Sequence, residues 1–273
     1  MTPCDEPAVA LTLAGLDPSG GAGILSDIAT FRNLGLQPAA VVTAITVQNS
    51  KHAPRFEPVD PALVRDQAEA VLADFCVAAV KTGMLGSADN ARAVAGLLAE
   101  YPDLPLVVDP VLAASSGDAL AGEGAKDVLC AVLLPRATVV TPNLEEAAAL
   151  AGLSKSIRDR DGMSAAAATI AGSAGCAVLL KGGHLEGDDE AADLLRLADG
   201  SESWHAVRRV PGPSPRGTGC RHSAALAAGL AQGLDIPDAA AHAQRYLAEL
   251  LARPRLRPGR GAPHLDDLGG GGG

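Results

Sequence analysis

Short apolar runs alternate with longer, alanine-rich amphipathic segments along almost the whole chain, and this alternation constrains the fold most. The runs are rich in Val and Leu and are continuous, as in strands that helices bury on both faces. The pattern predicts an α/β protein with a central, mostly parallel sheet and helices on both faces. The runs occupy residues 9–14, 40–46, 78–81, 106–108, 138–141 and 177–180.

The pattern changes toward the C-terminus. Residues 194–197 and 204–210 flank a turn signal, Asp199-Gly200, which predicts an antiparallel hairpin at the edge of the sheet. Two final helices are expected at 219–232 and 237–251, the first ended by Gly233 and the second opened by Pro237. We predict one domain over residues 1–268. The five glycines at 269–273 are expected to be disordered, because they bury no apolar surface to offset their backbone entropy.

Composition narrows the class of protein. Aromatic residues make up only 2% of a chain that is 48% hydrophobic, so the core must rest on small aliphatic side chains. The net charge of -10 and the lack of a long basic run argue against nucleic acid as a partner. The start has no signal-peptide pattern, and no apolar stretch reaches the roughly 18 residues of a membrane-spanning helix, so we expect a cytoplasmic protein.

The five cysteines are scattered and show no CxxC spacing, which predicts reduced thiols rather than disulfides or structural zinc. Cys76, Cys130 and Cys176 lie in apolar runs and are expected to be small buried hydrophobes. Cys4 and Cys220 lie outside such runs.

The turn Gly217-Thr218-Gly219-Cys220 leads directly into a predicted helix. First-turn amides have no partner inside a helix, and with the helix dipole they favour an anion there. The same field is expected to lower the pKa of Cys220, which could then take a proton from a substrate hydroxyl during phosphoryl transfer. On its own the tetrapeptide fits a purely structural turn equally well.

A second glycine-rich turn, residues 17–23, separates the first strand from a helix that begins near Ile24. It has neither the GxGxxG spacing of a dinucleotide-binding turn, which disfavours a dehydrogenase, nor the Gly-Lys-Ser/Thr ending of a Walker A loop. Asp27 follows one helical turn after Gly23. It either accepts hydrogen bonds from a small polar ligand or is an ordinary solvated carboxylate.

Polar groups follow the later strands, at the edge of an open α/β sheet where ligands bind. Asn143 would in any case cap a helix over residues 144–150. These groups are Gln48, Asn49, Thr82, Asp109, Asn143, Glu146, Lys181 and His184.

Taken in order, these motifs resemble the hydroxymethylpyrimidine and phosphomethylpyrimidine kinases of thiamin biosynthesis, within the ribokinase-like superfamily. The resemblance runs from about residue 8 to about residue 264. Its segments are residues 13–15 with 17–23, 46–50, 81–85, 108–111, 116–118, 141–147, 181–184 and 217–220.

The resemblance implies a set of site residues. The pyrimidine site would consist of Gly15, Asp27, Gln48, Met84 and Val111. Cys220 would be the catalytic base, and the amides of Gly217, Thr218 and Gly219 would form the anion hole. Lys181, Gly217 and Gly219 would contact ATP, while Asp109, Asn143 and Glu146 would hold Mg²⁺.

The implied activity is ATP-dependent phosphorylation of hydroxymethylpyrimidine and its monophosphate to the diphosphate, by a homodimer. Two alternatives stay open. One is a pyridoxal or pyridoxine kinase of the same superfamily, using the same pocket and Cys220. The other is a non-catalytic pyrimidine-binding homologue.

The chain departs from the family pattern in four places. Arg216 stands where histidine is usual, and it would either add charge near the phosphates or face solvent. Arg221-His222 stands where Thr followed by Leu or Tyr is commoner. Ser115 stands where Lys or Thr is often found. The segment 258–264 matches the family only loosely.

Overall fold

A mixed β-sheet forms the centre of the computed structural model, which describes residues 7–113, 117, 118, 120, 122, 124–183, 185 and 190–267. Within these residues the sheet has nine strands. They are β1 (Val9–Leu16), β2 (Gln37–Val47), β3 (Arg55–Pro58), β4 (Val77–Thr82), β5 (Leu106–Val108), β6 (Val139–Val140), β7 (Ala177–Leu180), β8 (Glu190–Arg196) and β9 (Glu202–Arg208).

The strand order is β3-β2-β1-β4-β5-β6-β7-β8-β9. Strands β2, β1 and β4 to β7 run parallel, and antiparallel strands lie at both ends. The predicted hairpin is confirmed as β8 and β9, with Leu195 opposite Ser203. The antiparallel strand β3 was not predicted, because Phe56 is the only large apolar residue in its four positions and gives no periodic signal.

The helices pack on both faces of the sheet, as the sequence predicts. They are α1 (Gly23–Asn33), α2 (Pro61–Asp74), α3 (Ala88–Leu98), α4 (Ala125–Val128), α5 (Leu144–Leu150), α6 (Arg160–Ala174), α7 (Thr218–Ala231) and α8 (Ile236–Ala252). A π-helical turn, Leu129–Leu133, and a 3₁₀ turn, Leu134–Arg136, follow α4. The two final helices lie within one residue of their predicted bounds.

Alternate strand residues enter two different cores. Leu11, Leu13 and Val80 pack with residues of α2, α3, α5 and α6 on one face. Ala10 and Ala79 pack with α1, α7 and α8 on the other. Because α7 presents mostly alanine to the sheet, it can approach closely, which explains how a chain with few aromatic residues fills its core.

One cysteine prediction is wrong. Cys76 is exposed and disulfide-bonded rather than a buried thiol, because it lies in the short connection between the end of α2 and the start of β4. Cys176 is buried and Cys130 half-buried, both as free thiols. The predictions for Cys4, Ser115, His184 and the glycine tail at 269–273 lie outside the described residues. Among the described helices, none is long and apolar enough to cross a membrane.

Candidate active site

The predicted site residues collect at the carboxyl edge of the parallel strands, around the N-terminus of α7. The two glycine-rich turns touch each other there. Gly217 has a φ of 70°, in the left-handed region, and a Cβ at this position would overlap the carbonyl oxygen of Gly21. Gly23 has a φ of 61°, and a Cβ there would overlap the carbonyl oxygen of Gly15. Only glycine fits these two positions. The contact of Gly217 with Gly21 brings the loop after β1 against the start of α7.

The start of α7 keeps its amides available. Gly217 is the N-cap residue and makes no side-chain capping bond, so the first-turn N–H groups are left for another acceptor. Lys181 adds positive charge, since its Nζ would lie 3.2 Å from a Cβ built on Gly219. This arrangement suits a phosphate group.

Cys220, in the first turn of α7, is half-buried. Burial raises the pKa of its thiol, against the opposing effect of Lys81 and of a hydrogen bond from the Gly23 amide to the sulfur. The prediction of a lowered pKa for Cys220 is therefore wrong. Desolvation and the negative charges of Asp27 and Asp109 outweigh the effects of Lys81 and the Gly23 amide, which favour the thiolate.

Asp27 and Lys81 form a fully buried ion pair, with 2.7 Å between Oδ2 and Nζ. Thr12 donates a hydrogen bond of 2.7 Å to the same carboxylate oxygen. Asp27 is thus no solvated carboxylate, and its Oδ1 has no hydrogen-bond partner among the described residues. No role was predicted for Lys81 from the sequence. The signal was present, because a lysine inside a buried apolar run needs a partner of opposite charge.

Burial disfavours the charge on Lys81, but Asp27, Cys220 and Asp109 outweigh it and raise the pKa of Lys81. Lys81 is therefore an ammonium ion at neutral pH. It also lies close to the strand end, since a Cβ on Gly83 would come within 3.1 Å of its Nζ.

Asp109 and Glu146 flank a second lysine. Lys181 Nζ lies 2.9 Å from Asp109 Oδ1, and Ser223 Oγ donates to Asp109 Oδ2 over 3.1 Å. Burial opposes the charge on Asp109, but Lys181 and Lys81 outweigh it and hold its pKa low. Burial raises the pKa of Glu146 to about 7, although Lys181 partly counters it. A further cation at this site would favour the charged form of Glu146.

Asn143 and Glu146 together cap α5. The Asn143 side chain accepts from the Glu146 amide, and the Glu146 carboxylate accepts from the Asn143 amide, both at 2.9 Å. The N-cap prediction for Asn143 is confirmed. The described residues contain no group of three or more His, Cys, Asp or Glu side chains placed to hold a metal. Two carboxylates with phosphate oxygens and water are nevertheless a usual environment for Mg²⁺.

Three residues of the implied pyrimidine site, Gly15, Met84 and Val111, lie together. The sulfur of Met84 would lie 3.0 Å from a Cβ on Gly15, so a side chain at position 15 would push Met84 aside. Met84 and Val111 belong to one small apolar cluster with Ala44, Ala53, Leu120 and Phe56. Gln48, half-buried at the end of β2, is held by a 3.0 Å contact between its Oε1 and the Thr46 hydroxyl.

Both arginines that depart from the family pattern are buried. Arg216 does not face solvent: it pairs with Asp17 at 3.2 Å, which joins α7 to the loop after β1. Arg221 is fully buried and pairs with Asp267. Neither interaction was predicted, because each joins residues distant in sequence.

His222 and Asp193 are both buried, and Asp193 contacts the residue Gly182 that follows β7. Asp193 accepts a 2.9 Å hydrogen bond from the Gly182 amide, and its other oxygen lies 3.6 Å from His222 Nε2. Burial lowers the pKa of His222 to about 3 and raises that of Asp193 to about 6. The imidazole is therefore neutral, and at neutral pH the carboxylate is charged without a cationic partner in His222.

This fold and this site define a ribokinase-like small-molecule kinase. The pyridoxal kinase of Staphylococcus aureus, solved with AMP-PCP and pyridoxal, superimposes with a TM-score of 0.85 at 28% identity, covering 96% of this chain and 94% of that one. The phosphomethylpyrimidine kinase of Clostridium difficile 630 superimposes with a TM-score of 0.76 at 35% identity, covering 89% and 98%.

The chain belongs to the phosphomethylpyrimidine kinase family, whose model matches residues 17–266. The hydroxymethylpyrimidine/phosphomethylpyrimidine kinase of Rhizobium meliloti (strain 1021) is 43% identical over 255 residues, covering 93% of this chain and 94% of that protein. The resemblance drawn from the motifs is confirmed.

Proposed function

We propose that this protein phosphorylates hydroxymethylpyrimidine and its monophosphate with ATP, giving the diphosphate. The observation that carries the proposal is the convergence of three features at one end of the sheet. These are the available amides of α7, the Cys220 thiol, and two buried lysine–carboxylate pairs, Lys81 with Asp27 and Lys181 with Asp109. Phosphoryl transfer needs mainly positioning and charge stabilisation, which these groups provide.

The pyrimidine would bind among Gly15, Asp27, Gln48, Met84 and Val111. Met84 and Val111 offer an apolar surface to the ring, and the Gln48 amide offers hydrogen bonds to its polar edge. The unpartnered Oδ1 of Asp27 is an acceptor for a donor on the substrate.

The amides of Gly217, Thr218 and Gly219 would hold the transferred phosphoryl group, and Lys181 would contact its oxygens. The hydroxymethyl proton passes to Cys220 as the new oxygen–phosphorus bond forms and the bond to the ADP leaving group breaks. Only the thiolate can accept that proton. Since the pKa of Cys220 is raised, the rate should increase with pH above neutrality.

Asp109, Asn143 and Glu146 would hold Mg²⁺, which when bound neutralises charge on the ATP phosphates. Lys181 already neutralises Asp109 in the described structure. Glu146 is the carboxylate with least compensation, as its raised pKa indicates, and it is the one that gains most from a cation.

The decisive experiment is product analysis by mass after incubation with hydroxymethylpyrimidine, ATP and magnesium. We expect masses corresponding to the addition of one and two phosphoryl groups. Pyridoxal is the second candidate substrate, which the superposition on a pyridoxal kinase favours. Phosphorylation of pyridoxal alone would refute the pyrimidine assignment, and binding of the pyrimidine without any product would favour the non-catalytic alternative.

We also propose a homodimer located in the cytoplasm, as the family resemblance implies. The apolar side chains of Ile45 and Val47 are 53% and 58% exposed on β2, a surface that a second copy would cover. Sedimentation velocity tests the assembly: a monomer at all concentrations would refute it.

A further inference from the structure

Arg221 is among the largest fully buried side chains of the described residues, and it lies in the first turn of α7. We propose that Arg221, held by Asp267, is a positioning residue that sets the direction of the amides in the anion-binding turn. The inference rests on the proposed kinase function and adds to it a residue pair that acts through the backbone rather than on the substrate.

The guanidinium contacts carbonyl groups of both glycine-rich turns. Its Nη1 donates to the oxygen of Gly21 at 3.1 Å, of Gly217 at 3.3 Å and of Arg216 at 3.4 Å. The Nη1 group of Arg221 thus lies where the two turns meet. A charged donor makes stronger hydrogen bonds than a neutral one, so these carbonyls are held firmly.

Holding these carbonyls fixes the amides that would bind phosphate. In a trans peptide the C=O and the following N–H lie in one plane and point in opposite directions. Arg221 therefore fixes the Gly217 N–H through the Arg216 oxygen, and the Thr218 N–H through the Gly217 oxygen. Gly217 has no Cβ to restrict its backbone, so this turn would otherwise be the least constrained part of the anion hole.

Asp267 holds the other side of the guanidinium. Arg221 Nε donates to Asp267 Oδ1 at 2.7 Å, and Nη2 donates to Oδ2 in a bidentate pair. The backbone oxygen of Asp267 in turn accepts from Asn33 in α1 at 3.0 Å. With both sides engaged, the guanidinium cannot rotate without leaving a buried charge unpaired.

The C-terminal segment, residues 256–267, thereby becomes part of the site. Arg216 donates its backbone N–H to Pro263 O at 3.0 Å, and Ala262 donates to Ser50 O, after β2, also at 3.0 Å. The same segment thus contacts the phosphate side and the loop next to Gln48. The position of the turn thus depends on a segment that supplies no catalytic group of its own.

The test compares Arg221→Lys and Asp267→Asn with the wild type. Each variant keeps similar size but loses the bidentate pair. We expect kcat to fall about 10- to 100-fold and the KM for ATP to rise, while the KM for the pyrimidine changes little. The matched control is Arg136→Lys, since Arg136 also binds three backbone carbonyls, those of Leu98, Tyr101 and Leu104, away from the site.

Thermal unfolding of all three variants separates positioning from stability, with rates compared well below each Tm. Equal losses of kcat in Arg221→Lys and Arg136→Lys, or unchanged kcat in both site variants, would overturn the proposal. A wild type that phosphorylates neither hydroxymethylpyrimidine nor pyridoxal refutes the kinase function instead. In that case calorimetric titration with MgATP still decides the inference: weaker binding by Asp267→Asn supports it, and unchanged binding overturns it.

Discussion

Lys81 Nζ of β4 and Asp27 Oδ2 of α1 lie 2.7 Å apart with both side chains fully buried. Removing one partner of a buried ion pair leaves an uncompensated charge, which costs about 3–5 kcal/mol. We predict that Lys81→Met lowers the free energy of unfolding by about this amount, measured by urea denaturation. The double variant Lys81→Met/Asp27→Leu should recover much of the loss.

The exposed pair of Arg55 and Glu57 is the control for that experiment, since its side chains are 70% and 65% exposed. Arg55→Met should change stability by less than about 1 kcal/mol. A similar loss in Arg55→Met and Lys81→Met would contradict the role of burial. The double variant should stay folded but bind the pyrimidine poorly, because Asp27 Oδ1 is gone.

Gly217 meets two constraints, a positive φ and the nearby carbonyl of Gly21, and Gly217→Ala tests them. Gly233 at the other end of α7 has a φ of 84° but no atom within 4 Å of its Cβ position. We predict that Gly233→Ala costs about 1–2 kcal/mol from backbone strain alone. Gly217→Ala should cost more and should also abolish turnover. Urea denaturation and an activity assay of both variants measure the two effects. Equal effects would show that the contact between the turns is unimportant.

Cys220→Ala removes the proposed base but leaves the turn amides in place. We predict that kcat falls about 10²- to 10⁴-fold, with ATP affinity nearly unchanged. The wild-type kcat should rise with pH above neutrality, since burial raises the pKa of Cys220 and the thiolate is the active form. Steady-state kinetics over a pH series provide the measurement. A flat profile together with an active alanine variant would remove Cys220 from the mechanism.

The parts of the fold and site that depend on local pattern could be predicted from the sequence. Continuous apolar runs predicted the parallel strands, and Asn143 was recognisable as a helix cap. Asp109, Glu146 and Lys181 were predicted at one edge of the sheet because each follows the end of a parallel strand. Asp109 and Lys181 are in contact there. Each of these inferences needs only neighbouring residues or the direction of the chain.

The rest depends on contacts between distant residues. Lys81 of β4 meets Asp27 because β4 lies beside β1, which leads into the helix α1 that carries Asp27. Arg221 meets Asp267 because the chain folds back after α8. The pKa of Cys220 was mispredicted for the same reason. Its helix dipole can be inferred from sequence, whereas its burial and the charges of Asp27 and Asp109 cannot.

Asp193 makes the stability of the protein depend on pH. Its folded-state pKa is about 6, above the usual value of an aspartate, because burial disfavours the charged form. From about pH 4 to 6 the folded state therefore binds more protons than the unfolded state, and stability falls as pH rises through this window. His222 offers no compensation, since burial lowers its pKa to about 3 and leaves it neutral.

Asp193→Asn keeps an acceptor for the Gly182 amide but carries no charge. As the pH rises from 4 to 7, the unfolding free energy of this variant should increase by roughly 2–3 kcal/mol relative to that of the wild type. Asp199→Asn is the control of opposite sign, because hydrogen bonds from Ser201 lower the pKa of the exposed Asp199. Urea denaturation at several pH values measures both differences. A difference between Asp193→Asn and wild type that stays constant with pH would show that Asp193 keeps an ordinary pKa in the folded protein.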